Sequence, residues 1–147
     1  LVMAAAVADF APKRASGRKI KRDGGELQID LVPNPDIIAE VGEMADGTRP
    51  FLIGFAAESD DLEANARSKL RDKGLDLIVG NQVGGPFDAI GSDENKVTVF
   101  GAEGVLSEWP MLPKRQVAER LWDLFIDRYR KAHPAERPAR TGRSRRR

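Results

Sequence analysis

Two short apolar runs, separated by a helix-length amphipathic stretch, constrain this chain more than any other feature. Phe51-Leu52-Ile53-Gly54-Phe55-Ala56-Ala57 and Leu75-Asp76-Leu77-Ile78-Val79 read as strands buried on both faces. Between them Leu62, Ala66 and Leu70 recur at the spacing of one helical face. Asp60 and Glu63 resemble a capping pair ahead of that helix, and Gly74 stops it. Two strands joined through a helix in this way lie parallel, because the crossover returns the chain to the end where the first strand began.

The same grammar extends toward the N-terminus. From Glu26 to Val32 the chain alternates, with Leu27, Ile29 and Leu31 set against Gln28 and Asp30, which predicts a half-buried strand entered through Gly24-Gly25. Asn34 is then an N-cap and Pro35 the first helical residue, where a missing N–H costs nothing. Ile37, Ile38, Val41 and Met44 keep one face apolar, and Asp46-Gly47 ends the helix. The opening Leu1-Val2-Met3 and the alanines behind it read as one more strand buried on both faces. Strand, helix, strand, helix, strand gives an α/β fold, Rossmann-like, with a mostly parallel sheet and flanking helices.

Beyond Asn81 the texture changes. Gly84-Gly85-Pro86 and Gly91-Ser92-Asp93 form a loop long enough to suspect a function. Lys96–Phe100 and Val105–Trp109 are predicted to pair as an antiparallel hairpin through Glu103-Gly104. Pro113 opens a last helix whose Val117, Leu121, Leu124, Phe125 and Tyr129 share a face, and Pro134 ends the ordered part. A complete doubly wound nucleotide domain opens with a strand, a Gly-rich turn and a helix. None of these precedes Leu1, so the expectation is a fragment lacking its N-terminal strand–turn–helix. The domain is assigned to residues 1–132 and a basic, disordered tail to residues 133–147.

At 147 residues the chain is long enough for one domain with a real core, and 41% hydrophobic with 32% charged residues is ordinary for a soluble protein. It has no cysteine, which excludes disulfides, a thiol nucleophile and cysteine-ligated metal. No apolar run approaches the roughly 18 residues of a membrane span, and no basic region precedes the opening apolar segment as in a signal peptide. The expected location is therefore cytoplasmic. The net charge of +1 hides a division: residues 133–147 hold six arginines and one glutamate, or +5, which leaves −4 on residues 1–132. The tail lacks the aromatic residues that base stacking uses, so nucleic acid is not the expected partner.

Four stretches also carry a resemblance, in register along the chain. They are Ala4-Ala5-Ala6-Val7-Ala8-Asp9-Phe10 followed by Lys19-Ile20-Lys21, then Asn34-Pro35-Asp36-Ile37, then Gly54-Phe55-Ala56-Ala57-Glu58, then Ser92-Asp93-Glu94-Asn95. Together they resemble phosphopantothenoylcysteine synthetase, the phosphopantothenate–cysteine ligase of coenzyme A biosynthesis, from Leu1 to about Tyr129. The resemblance implies a two-step reaction. The carboxylate of 4′-phosphopantothenate attacks the α-phosphate of a nucleotide, CTP in most bacteria and ATP in eukaryotes, giving an acyl-nucleotide and pyrophosphate. The amine of cysteine then displaces the nucleotide monophosphate. It also implies Mg²⁺ with the nucleotide, a homodimer, and in many bacteria a fused flavin-dependent decarboxylase upstream, with no flavin in this part of the chain. Chemistry of this kind asks the protein to align groups and stabilise charge on phosphate oxygens.

By the same resemblance Lys19 is the catalytic residue, carried on a flexible loop onto the phosphates, where a compact cation suits developing charge. Ala5, Asp9, Asn34, Pro35, Asp36, Ile37, Phe55, Lys69 and Lys73 are matched to nucleotide contacts, and Ala6 to the substrate; no side chain is assigned to a metal. Ordinary structural uses stand beside these roles. Asp9 suits a turn, the alanines suit tight packing, Phe55 suits a core, and Lys69 and Lys73 suit the end of a helix. Where the family commonly reads Ala-Asn-Asp, this chain has Gly80-Asn81-Gln82, which puts any role for an acidic neighbour in doubt. The part of the family domain that handles phosphopantothenate lies upstream of Leu1, so the chain alone is expected to be inactive. A different class of reading is a non-catalytic α/β nucleotide-binding or interaction module whose basic tail holds polyanions. A dinucleotide oxidoreductase domain is disfavoured, since no GxGxxG follows any strand.

Overall fold

The computed structural model describes residues 1–22, 24–45, 47–84 and 91–134. Its centre is the predicted crossover: strand β4 (Ile53–Glu58), helix α2 (Leu62–Asp72) and strand β5 (Leu77–Gln82), with β4 and β5 parallel from Ile53↔Leu77 to Glu58↔Gln82. β1 (Val2–Met3) lies parallel on the far side of β4, and β7 (Thr98–Gly101) and β8 (Gly104–Glu108) add antiparallel on the far side of β5. The sheet order is thus β1-β4-β5-β7-β8. Two small ribbons stand apart: β2 (Phe10–Pro12) with β3 (Leu31–Pro33), and β6 (Glu94–Asn95) with β9 (Leu112–Pro113). Helices α1 (Ile37–Gly42) and α3 (Lys114–Ala132) complete the described fold. The α/β class, the mostly parallel sheet with flanking helices and the C-terminal hairpin match the sequence reading.

The sheet is covered on both faces. Leu52, Ala56, Leu75, Ile78 and Phe100 form one buried layer with Ala66 and Leu70 of α2, against which Ile38 and Val41 of α1 and Leu62 also pack. Ile53, Leu77, Val79, Val97 and Val99 form the other with Val117, Leu121 and Phe125 of α3. Burial on both faces explains the apolar runs through Leu52–Gly54 and Leu77–Gly80, whereas Phe55 and Ala57 in the second half of β4 are exposed. The turn into β5 is fastened by Asp76, whose carboxylate takes a two-pronged pair from Arg49 at 2.9 and 3.0 Å and accepts from Leu52 N at 2.7 Å.

Four local expectations are corrected. The opening strand is two residues long at the sheet edge, and Val2 is 37% exposed rather than buried on both faces. It bonds only to β4, and from Ala4 the chain leaves the ladder. The alternating stretch yields only β3, and Leu27 and Ile29 are exposed, because that segment extends beyond the β2–β3 ribbon. Helix α1 is capped by Asp36, not Asn34, and stops at Gly42. Helix α2 is capped by Asp61, which has φ 48° and no side-chain capping bond, so Asp60 and Glu63 form no capping box.

On α3, Val117, Leu121 and Phe125 are buried, whereas Tyr129 is half exposed and stacks on His133 at 4.4 Å. Ser92 Oγ accepts from Glu94 N at 3.1 Å, and Asp93 O accepts from Lys114 N at 2.9 Å, so the Ser92–Asn95 wording anchors the start of α3. Residues 85–90 of the long loop and 135–147 of the tail lie outside the described residues. Among the described residues no helix is long and apolar enough to cross a membrane.

Candidate functional site

The site is built where three separate stretches leave their elements side by side. After β1 the backbone of Ala4–Asp9 is irregular, with Val7 N donating to Ala5 O at 3.1 Å, and its small side chains leave main-chain groups close to the surface. Asn34 fixes this segment from the other side. Its Nδ2 donates to Ala8 O at 2.8 Å and its backbone N donates to Asp9 O at 2.8 Å. Pro35, Asp36, Ile37 and Ile38 follow directly, entering α1. Phe55, 39% exposed although it lies in the central strand β4, supplies an aromatic wall. Between these parts lies a cleft of about 300 Å³.

Nine of the eleven residues assigned from the sequence line that cleft: Ala5, Ala6, Asp9, Asn34, Pro35, Asp36, Ile37, Phe55 and Lys73. Met3, Val7, Ala8 and Ile38 complete the lining. The location agrees with open α/β sheets, whose ligands bind beyond the carboxyl ends of strands.

Lys19 and Lys69 do not line the cleft. Lys19 is exposed on the excursion between β2 and β3, a segment closed at its base by Lys13 N donating to Asp30 O at 2.8 Å. Lys69 points instead to the end of β4, where its Nζ lies 2.5 Å from Glu58 Oε1. Lys73 reaches Asp36 Oδ2 at 2.8 Å, so the cation at the cleft is already paired. That hydrogen bond is the main cause holding the Asp36 carboxyl below its ordinary range; burial opposes it, and the N–H of Ala39 adds to it. Asp36 Oδ1 accepts from Ala39 N at 3.2 Å, so one carboxylate both caps α1 and ties it to the last turn of α2.

A polar wall of backbone groups, an aromatic face and a lysine suit a nucleotide or another flat, anionic ligand. Mg²⁺ usually takes one or two carboxylates together with substrate phosphates. Among the described residues no group of three or more acidic, His or Cys side chains is placed to hold a metal unaided, while Asp9 and Asp36 line the cleft. The donor set therefore fits a cation that arrives with a phosphate ligand.

Residues 1–129 match the family described as DNA/pantothenate metabolism flavoprotein C-terminal domain. The chain belongs to that family. The coenzyme A biosynthesis bifunctional protein CoaBC of Vibrio cholerae serotype O1 is 42% identical over 126 residues, 84% of this chain and 31% of that protein. A protein named cysteine/cysteine sulfinic acid decarboxylase, from an unknown prokaryotic organism, is 42% identical over 117 residues, 80% of this chain and 32% of that one. Among solved structures, the crystal structure of the C-terminal domain of the bifunctional protein CoaBC superimposes with a TM-score of 0.62 at 34% identity, covering 84% of this chain and 51% of that chain. The chain spans about a third of the length of these curated relatives.

Within the flavoprotein C-terminal domain family fold, the sequence pointed to the lining but not to what holds it. The bonds from Asn34 to the Ala8–Asp9 backbone join residues about 25 apart in the chain, and those that Glu58 accepts from Asn65 and Lys69 join a strand end to a helix. Glu58 was visible only as the last letter of Gly54-Phe55-Ala56-Ala57-Glu58.

Proposed function

We propose that this region is the nucleotide-binding part of a phosphopantothenate–cysteine ligase of coenzyme A biosynthesis that uses CTP. The observation that carries the reading is the convergence of Ala5–Asp9, Asn34–Ile37 and Phe55 on one cleft. These stretches are separate in the chain, and each was assigned to the nucleotide or substrate by its wording alone. Family membership and the bifunctional relatives of coenzyme A biosynthesis support the same reading.

In the proposed reaction a carboxylate oxygen of 4′-phosphopantothenate attacks the α-phosphorus of CTP, forming an acyl-cytidylate and releasing pyrophosphate. The amine of cysteine then attacks the acyl carbon, loses a proton, and forms the amide as CMP departs. Phe55 stacks against the base, and the Asn34–Ile37 segment and the Ala5 backbone hold the nucleotide. Asp9 faces the phosphate end, Ala6 leaves room for phosphopantothenate, and Lys69 and Lys73 bind the triphosphate. Lys19 comes in on the β2–β3 excursion to meet the negative charge that grows during phosphoryl attack. Mg²⁺, when bound with CTP, would be held by Asp9 and would offset phosphate charge. The reading carries with it a homodimer in the cytoplasm, a flavin-dependent decarboxylase fused upstream, and no flavin in this region.

The test is turnover. The longer protein containing this region should release CMP and pyrophosphate when given CTP, phosphopantothenate and cysteine, and this chain alone should not. Absence of nucleotide-dependent amide formation by the longer protein contradicts the proposal.

A further inference from the structure

Glu58 lies outside the assigned ligand set, yet it is the most enclosed partner among the ion pairs that α2 makes. Its side chain is 14% exposed, against 47% for Asp36. Both of its oxygens are used by α2: Oε1 by Lys69 Nζ at 2.5 Å and Oε2 by Asn65 Nδ2 at 3.2 Å. Asn65 is itself fixed, its Nδ2 also donating to Asp60 O at 3.0 Å. Glu58 is the last residue of β4, three positions beyond Phe55, so it stands at the carboxyl end of the strand that supplies the aromatic wall. Side chains on a helix lean toward its N-terminus. Lys69 and Lys73 therefore both lean toward the carboxyl ends of the strands, and they share one face of α2.

An ammonium has three donors. Glu58 occupies one, which fixes the direction of Lys69 and leaves two for a ligand. A lysine without such a partner spreads over many rotamers and loses that freedom when it binds.

We infer that Glu58 is a positioning residue that holds Lys69 for the outer phosphates of the nucleotide. The inference rests on the nucleotide reading of the cleft and extends it to a residue that contacts no ligand itself. Glu58→Gln keeps the size of the side chain and an acceptor for Asn65, and removes the charge that aims Lys69.

The experiment is calorimetric titration of the 147-residue chain and its Glu58→Gln variant with CTP and, separately, with CMP, which lacks the outer phosphates. The expected result is a roughly fivefold to tenfold loss of CTP affinity with CMP affinity changed by less than twofold. If Glu58→Gln does not fold, Glu58→Asp, which keeps the charge on a shorter stem, is titrated instead and should lose CTP affinity selectively by a smaller factor. Unchanged or tighter CTP binding overturns the inference, and so does an equal loss for both nucleotides, which would mark Glu58 as merely structural. Failure of the unsubstituted chain to bind CTP is a distinct outcome: it overturns the nucleotide reading of the cleft and this inference with it.

Discussion

Asp36 shows how much one residue can carry at the edge of the cleft, since its two oxygens serve two elements. The pair with Lys73 and, less strongly, the cap on Ala39 favour the charged carboxylate, which is why its pKa falls below the ordinary 3.8. A carboxyl whose folded pKa is lowered adds stability above its unfolded value and loses it as pH falls through the folded one. Asp36→Asn keeps a capping oxygen and removes the charge. At pH 7 it should cost no more than about 1 kcal/mol, as for an exposed pair, and urea unfolding should show the gap from wild type closing below pH 3.8. A gap that persists in acid would mean the charge is not the cause. Lys19 makes the opposite prediction about function. Because it stands off the cleft, Lys19→Gln in the longer protein should, on the proposed reaction, lower kcat by roughly two to three orders of magnitude, as when an electrostatic donor is lost, with little change in CTP affinity. Single-turnover kinetics beside a CTP titration would read both. The wording around Asp36 was legible in the sequence, but its cap was misread by two positions. Asn34 has the right chemistry for a cap, yet its amide is taken by the Ala8 carbonyl, a contact across 26 residues that no local pattern contains.

Among elements, the meeting of α1 with the end of α2 sets the shape of the cleft. A Cβ at Gly42 would lie 2.0 Å from Lys73 O, so only glycine lets the two helices come this close. Gly74, at φ 60°, turns the chain away immediately after. Gly42→Ala should cost about 1–3 kcal/mol, the usual penalty for overpacking, read as a lower urea midpoint at an unchanged m-value. A variant as stable as wild type would show that the approach of α1 to α2 is not tight. The central crossover was legible because β5 and the first half of β4 are buried on both faces, and burial of that kind writes itself into unbroken apolar runs. The Glu26–Val32 stretch was not, for a related reason. Alternation reports that a segment has two faces, and says nothing about whether either is covered; Leu27 and Ile29 are 64% and 59% exposed.

At the scale of the whole molecule, the three stretches that form the cleft are joined by the sheet. Ile53 N donates to Leu1 O at 2.9 Å and β1 pairs with β4, so the opening segment is held over Phe55 by the strand ladder. Asn34 then ties that segment to the start of α1. The charge division along the chain leaves residues 1–132 at −4, so long-range attraction from this part does not favour a polyanion and local cations must hold the phosphates. Because those cations are already paired with Asp36 and Glu58, ligand phosphates must share or replace existing partners, which should make binding sensitive to salt. The most direct measurement is backbone amide NMR of the 147-residue chain during titration with CTP. Saturable shifts are expected at Ala5–Asp9, Asn34–Ile38, Phe55, Lys69 and Lys73, with the α3 surface around Trp122 and Ile126 unmoved. No saturable shifts, or shifts centred on α3, would contradict it.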